Sequence, residues 1–246
     1  MKKGRHYAFI ILLISTVFPA FAHINGAESH LHVCGDAIDW PPYTYIDGNE
    51  VKGEDIDILG DLLPKLGYSF DITMTSWTRC LRGTKTGDFQ LAVSASFNTE
   101  REKHYLYTTW YYEITPYYVY SSKRFPQGLT INEVSDLEQY KVCGIHGYNY
   151  SDFQLNNVDQ YTVNTFESIT ELKKQHCDVF LSWDEILSGI KRVWGIDYIQ
   201  GNIVAKPIPN MQKHKFYMLI SKQFPQAQAL QTALNDALSK HRNTLD

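Results

Sequence analysis

The stretch Ser94-Ala95-Ser96-Phe97-Asn98-Thr99-Glu100-Arg101-Glu102 decides how the rest of the chain is read. It follows residues 90–94, a short apolar run with the character of a buried strand. It therefore lies at the C-terminal end of a strand, where open α/β sheets bind their ligands. The hydroxyls of Ser94 and Ser96 precede Arg101. A guanidinium fork in that setting grips a carboxylate through two parallel hydrogen bonds. A plain turn into a helix, ending on an exposed arginine, uses the same residues, so the surroundings must decide.

Outward from this segment, strand-like and helix-like runs alternate. Residues 32–35 read as a strand. Residues 55–66 carry apolar side chains at helical spacing (Ile56, Ile58, Leu59, Leu62, Leu63, Leu66), with Pro64 late in the helix and Gly67 as its stop. Residues 68–74 alternate as a strand, 79–85 form a short helix, and 110–122 are a long aromatic and β-branched stretch. The pattern then restarts. Strands are expected at 141–145, 161–164, 177–182 and 215–221, and helices at 150–155, 166–174, 185–194 and 225–241. Short connections between alternating elements predict an α/β fold with mainly parallel sheets. The triplets Val33-Cys34-Gly35 and Val142-Cys143-Gly144 each open such a run, a faint echo of two similar lobes.

The N-terminus reads as an address. Lys2, Lys3 and Arg5 precede a short apolar run, and Ala20-Phe21-Ala22 is a small-x-small cleavage signal. The run falls short of the roughly 20 apolar residues that span a bilayer. A cleaved signal peptide at 1–22 would leave an exported protein of 224 residues. The whole chain has 246 residues, 23 Lys+Arg against 27 Asp+Glu, and a net charge of −4, which argues against a nucleic-acid surface. Loss of the leader takes three positive charges and makes the remainder more acidic. An oxidising bacterial periplasm fits best, so Cys34, Cys80, Cys143 and Cys177 read as disulfide cysteines. No pair of them has the C-x₂₋₄-C spacing of zinc ligands.

No zinc-protease, nucleophile-elbow, phosphate-loop or dinucleotide motif is present. No two histidines have helical ligand spacing, and neither a metal nor a cofactor is expected. The absence of catalytic motifs shifts the reading from an enzyme toward a binding protein.

Taken together, these residues resemble the bacterial extracellular solute-binding proteins of family 3, the periplasmic polar-amino-acid-binding proteins. The loop with Trp40 and Tyr43 is similar to the family's aromatic-proline loop. Gly53-Glu54-Asp55-Ile56-Asp57 resembles its entry to the first helix, and residues 87–101 resemble its strand and carboxylate clamp. Asp136-Leu137, Val142, Gly147 and Cys177-Asp178-Val179-Phe180 follow the second half of the pattern.

The resemblance implies a two-lobed, type II (Venus-flytrap) fold with two hinge crossovers, near residues 117–121 and 216–221. Lobe one would comprise 31–118 and 218–246, and lobe two 119–217. Ligand would lie between them. Arg101 would hold the ligand carboxylate, with Ser96 and the carbonyl of Ser94 beside it. Trp40 and Tyr43 would pack on the ligand, and Tyr148 and Asn149 would add contacts from lobe two. Members that bind α-amino acids place an acid where this chain has Trp183, so Asp184, or Glu185 after it, becomes the expected ammonium partner. One disulfide per lobe is implied, Cys34–Cys80 and Cys143–Cys177. The expected function is capture of a polar amino acid or similar small carboxylate by a monomer, for an ABC-type permease or a membrane sensor. A dehydratase on the same scaffold, using Glu54, Asp184 or Glu185 as acid or base, is the enzymatic alternative.

Overall fold

Hydrophobic periodicity becomes two sheets, each flanked by helices. The computed structural model describes residues 29–38 and 40–242; the expected leader lies outside them. The strands are β1 (Ser29–Asp36), β2 (Tyr45–Asp47), β3 (Glu50–Lys52), β4 (Tyr68–Thr75), β5 (Leu91–Ser96), β6 (Tyr105–Tyr107) and β7 (Tyr112–Ile114). They continue as β8 (Pro116–Ser121), β9 (Val142–Ile145), β10 (Val158–Thr162), β11 (Val179–Trp183), β12 (Ile203–Pro207) and β13 (His214–Ser221). The helices are α1 (Glu54–Lys65), α2 (Trp77–Thr86), α3 (Thr99–Glu102), α4 (Thr165–Lys173), α5 (Asp184–Trp194) and α6 (Ala227–Arg242).

The first lobe holds a sheet in the order β4-β1-β5-β13-β6, with β7 also paired to β13. The second holds β10-β9-β11-β8-β12. The pairs β1–β4, β1–β5, β9–β10 and β9–β11 are parallel. Each sheet then turns antiparallel, at β13 in one and at β8 and β12 in the other. The sheets are thus mixed rather than mainly parallel. The reason is the crossovers: a strand entering from the other lobe arrives in the opposite direction.

In lobe one, Leu59 and Leu63 of α1 and Leu230, Leu234 and Leu238 of α6 are fully buried with Leu31, Val33, Leu91 and Val93 of the sheet. Burying each such side chain contributes about 1.5–3 kcal/mol. Pro64 sits in the last turn of α1, where Leu66 donates to the carbonyls of both Leu62 and Leu63 as the helix tightens to its end. In lobe two, Ile169 and Leu172 of α4 and Leu187 of α5 cover Cys143, Ile145 and Phe180.

Both implied disulfides are formed. Cys34 of β1 joins Cys80 of α2, and Cys143 of β9 joins Cys177 just before β11, with Cα–Cα distances of 5.6 and 5.9 Å. Each lies within one lobe, so neither restrains the cleft.

The chain leaves the first sheet at Ile114, which pairs with His214, and enters the second at Pro116. The change takes a single residue, Thr115. Pro116 has no N–H to give and begins a strand, a position where proline is tolerated. The chain returns between Pro207 and His214. Both crossings lie earlier than the boundaries expected after residues 118 and 217, because the aromatic run 110–122 reads as one strand and only the pairing divides it. The helix expected at 150–155 is a single 3₁₀ turn, Ser151–Phe153, ended by Gln154 at φ 55°.

Candidate functional site

Sheet order places the C-terminal ends of β1 and β5 beside each other and facing the second lobe. A cavity of about 30 Å³ opens there, with room for roughly one or two waters. Trp40, Ser94, Ser96, Arg101 and Tyr148, all expected from sequence, line it. So do Asp36, Thr44, Trp77, Trp183 and Phe216, which were not.

Arg101 is held by local chain chemistry. Asn98 caps α3, its side-chain oxygen accepting from the backbone N–H groups of Glu100 and Arg101 at 2.9 and 3.3 Å. The helix turn brings the guanidinium back over Ser96, whose carbonyl accepts from Nη1 at 3.2 Å. The charge lies over the Trp77 ring, 5.5 Å from its centroid. Burial pulls the arginine pKa down, and nearby tyrosines oppose this. None of the ion pairs among the described residues involves Arg101.

Ser94 occupies a left-handed backbone position, φ 57°, unusual for a serine. Its hydroxyl donates to the buried carboxylate of Asp55 at 2.6 Å and accepts from Tyr112 at 2.7 Å. Its N–H donates to the Tyr111 hydroxyl. Thr44 and Tyr111 also donate to Asp55. Burial pushes the Asp55 carboxyl up to about 6, although the hydroxyls of Ser94, Thr44 and Tyr111 hold it down. The Trp40 indole N–H donates to Tyr112 at 2.9 Å, extending the same network to the cavity wall.

The second lobe closes the cavity. Asn149 donates to Ser96 Oγ at 3.0 Å and to the Phe97 carbonyl at 2.7 Å, and it accepts from Asn98 at 3.3 Å. The Tyr148 hydroxyl donates to the carbonyl of Ile38 at 3.0 Å, and its ring meets Trp40 edge-on. Gly189 of α5 lies against the loop carrying Pro41, where a Cβ would fall 2.3 Å from the Pro41 carbonyl oxygen.

Tyr43 is buried and stacks on Tyr112 at 3.7 Å, behind the wall rather than on it. Asp184 does not line the cavity. It opens α5, and its backbone N–H donates to Thr115. Burial, and then the Glu185 charge, push its carboxyl up. Glu185 instead grips Thr115, accepting from its N–H at 2.7 Å and its hydroxyl at 2.9 Å. Glu54 lines a separate groove with Arg192. Trp183 itself reaches the cavity, and its indole donates to His214 Nδ1 at 3.0 Å. Asp36, at the end of β1, is the acidic wall residue that sequence reading missed. Its signal was its place as the last residue of a strand that ends beside β5.

The arrangement offers one anion-binding guanidinium, one carboxylate and aromatic walls between two lobes. Comparison with known proteins agrees with that architecture. A histidine kinase sensor domain with similarity to periplasmic binding proteins superposes with a TM-score of 0.71 at 15% identity, covering 88% of this chain and 92% of that one. The arginine-bound truncated ArgBP from T. maritima gives 0.68 at 15% identity, covering 88% and 98%. The amino acid ABC transporter substrate-binding protein AbpA from Streptococcus pneumoniae, bound to L-arginine, gives 0.67 at 19% identity, covering 88% and 90%. Among curated proteins no relative is detected. The profile of the bacterial extracellular solute-binding proteins, family 3, matches residues 32–244, nearly all of the chain. With the two sheets, the paired crossovers and the cleft between them, this chain belongs to that family.

Proposed function

We propose that the protein captures a small polar amino acid, or a similar small carboxylate, in the cleft between its lobes. It would do so in the periplasm and deliver the ligand to an ABC-type transporter. The observation that carries this reading is Arg101, half-buried at the cleft, fixed by the α3 cap and paired with no carboxylate among the described residues. A ligand carboxylate there would supply the missing charge through bonds of about 1.5–3 kcal/mol each. Asp36 would take the ammonium, in place of the Asp184 expected from sequence. The aromatic rings of Trp40, Trp77, Trp183 and Phe216 would enclose a short side chain.

Asn149 and Tyr148, engaged with the first lobe, cover the cavity. Ligand entry therefore requires the lobes to part, and bound ligand would then favour their closing. The closed form is the signal a membrane partner would read. The sensor-domain neighbour, with the same two-lobed fold, favours a kinase-type partner as the second reading. Co-purification with a permease or with a sensor kinase separates the two. None of Glu54, Asp184 and Glu185 lines the cavity, so the dehydratase alternative has no support there.

The test is a thermal-shift screen against amino acids and small carboxylates, in the wild type and in Arg101→Ala. A ligand at a hundred times its dissociation constant should add about 2.7 kcal/mol of stability to the wild type. A hit that stabilises Arg101→Ala equally would refute the assigned site.

A further inference from the structure

The other end of the first sheet carries a second group of convergent side chains. His30 and His32 are two residues apart on β1, so both point to one face of the strand. The parallel register sets Ser69 opposite His30 and Asp71 opposite His32 on β4. His32 Nδ1 lies 3.0 Å from Asp71 Oδ1, and His30 Nε2 lies 3.4 Å from Asp71 Oδ2. One ligand atom from each of the three lies within 4.8 Å of the others. A tetrahedral ion with bonds near 2.0–2.1 Å needs its ligands about 3.4 Å apart. Small side-chain rotations therefore suffice to reach that spacing.

His30 also has an outer partner. Its Nδ1 lies 2.9 Å from Ser69 Oγ. In the tautomer that donates there, Nε2 carries the lone pair on the side of Asp71. Hydrogen bonds of this kind orient metal-binding histidines. The backbone N–H of His32 donates to the Gln90 side chain at 2.8 Å, which holds that residue in register.

We propose that His30, His32 and Asp71 form a surface site for a late first-row divalent ion of the zinc and copper class. Two imidazoles and one carboxylate suit such ions better than magnesium or calcium. The three side chains are 45–55% exposed, so a fourth position is open to water or to a donor from another molecule. His30 lies six residues from Asp36, the cleft end of the same strand, a separation of about 20 Å. The ion and the cleft ligand would therefore occupy opposite ends of lobe one and bind independently. Scanning the sequence for helical ligand spacing passes over this site, because the histidines are at strand spacing and the acid is on another strand.

The experiment is calorimetric titration of the tag-free protein with Zn²⁺. Variants are His32→Gln, Asp71→Asn and Ser69→Ala, each checked for an unchanged circular dichroism spectrum. His104→Gln and His176→Gln serve as controls away from the cluster. The expected result is one saturable equivalent. Its affinity should fall at least about tenfold in His32→Gln and Asp71→Asn, and by about tenfold in Ser69→Ala through loss of the outer hydrogen bond. The controls should bind as wild type. No saturable uptake, or wild-type affinity in both His32→Gln and Asp71→Asn, would overturn the proposal.

Discussion

The side-chain amide of Asn149 donates to the hydroxyl of Ser96 at 3.0 Å, joining the second lobe to the first across the cleft. The same amide reaches the Phe97 carbonyl at 2.7 Å. Each bond contributes about 0.5–1.5 kcal/mol. Asn149→Ala should therefore weaken lobe closure by about 1–3 kcal/mol. In small-angle scattering the ligand-free variant should have a larger radius of gyration than the wild type. An unchanged radius would mean that other contacts hold the cleft shut.

Gly189 allows α5 to lie directly on the Pro41 loop. Alanine is the better helix former, by about 1 kcal/mol. A Cβ at this position would nevertheless fall 2.3 Å from the Pro41 carbonyl oxygen. Gly189→Ala should keep or slightly raise thermal stability while lowering ligand affinity, because only the closed contact is blocked. Calorimetry and a thermal melt on the same sample separate the two effects.

Each disulfide closes a loop inside one lobe, of 46 and 34 sequence positions. Replacing Cys143 and Cys177 together by serine should cost about 2–4 kcal/mol in urea unfolding. Ligand affinity should hardly change, since neither cysteine lines the cavity and the link joins two points of the same lobe. A loss of binding without a loss of stability would contradict this.

Asp55 and His214 pull the acid side of the stability curve in opposite directions. Burial raises Asp55 from 3.8 to about 6, and burial lowers His214 from 6.5 to about 4. The raised carboxyl holds its proton more tightly in the folded state. Its contribution is full below its unfolded pKa and is lost as pH rises to about 6. The lowered imidazole contributes fully above 6.5, and that contribution is lost as pH falls to about 4. The two slopes offset in the wild type. His214→Gln keeps an acceptor for the Trp183 indole and leaves Asp55 alone, so unfolding free energy should fall from pH 4 to pH 6 relative to wild type. Urea melts across that range check the sign.

The contiguous part of the candidate site was legible in the sequence. Ser94, Ser96 and Arg101 sit on one strand-turn-helix segment, and local capping by Asn98 is enough to bring them together. Asp36, Trp77, Trp183 and Phe216 come from four different elements, and only sheet order makes them neighbours. That Asp184 lies outside the cavity has a similar cause. β11 ends at Trp183 and α5 begins at Asp184, so one residue decides which side chain still belongs to the strand and faces the cleft. The disulfide pairs followed once the chain was divided into lobes, because each lobe holds two cysteines. The exact place of the crossings did not, since the residues on both sides of Thr115 are equally strand-forming.

The grip of Glu185 on Thr115 sets how the two halves swing. The carboxylate holds both the N–H and the hydroxyl of Thr115, the one residue of the first crossing, and Glu185 rides on the second lobe. The pivot pin is thus fixed to the moving leaf, and bending concentrates at the link between Ile114 and Thr115. A joint of that kind permits a narrow arc of orientations and little twisting. Fewer open orientations mean less disorder to give up on shutting, so more of the contact energy made with a captured molecule is left as affinity.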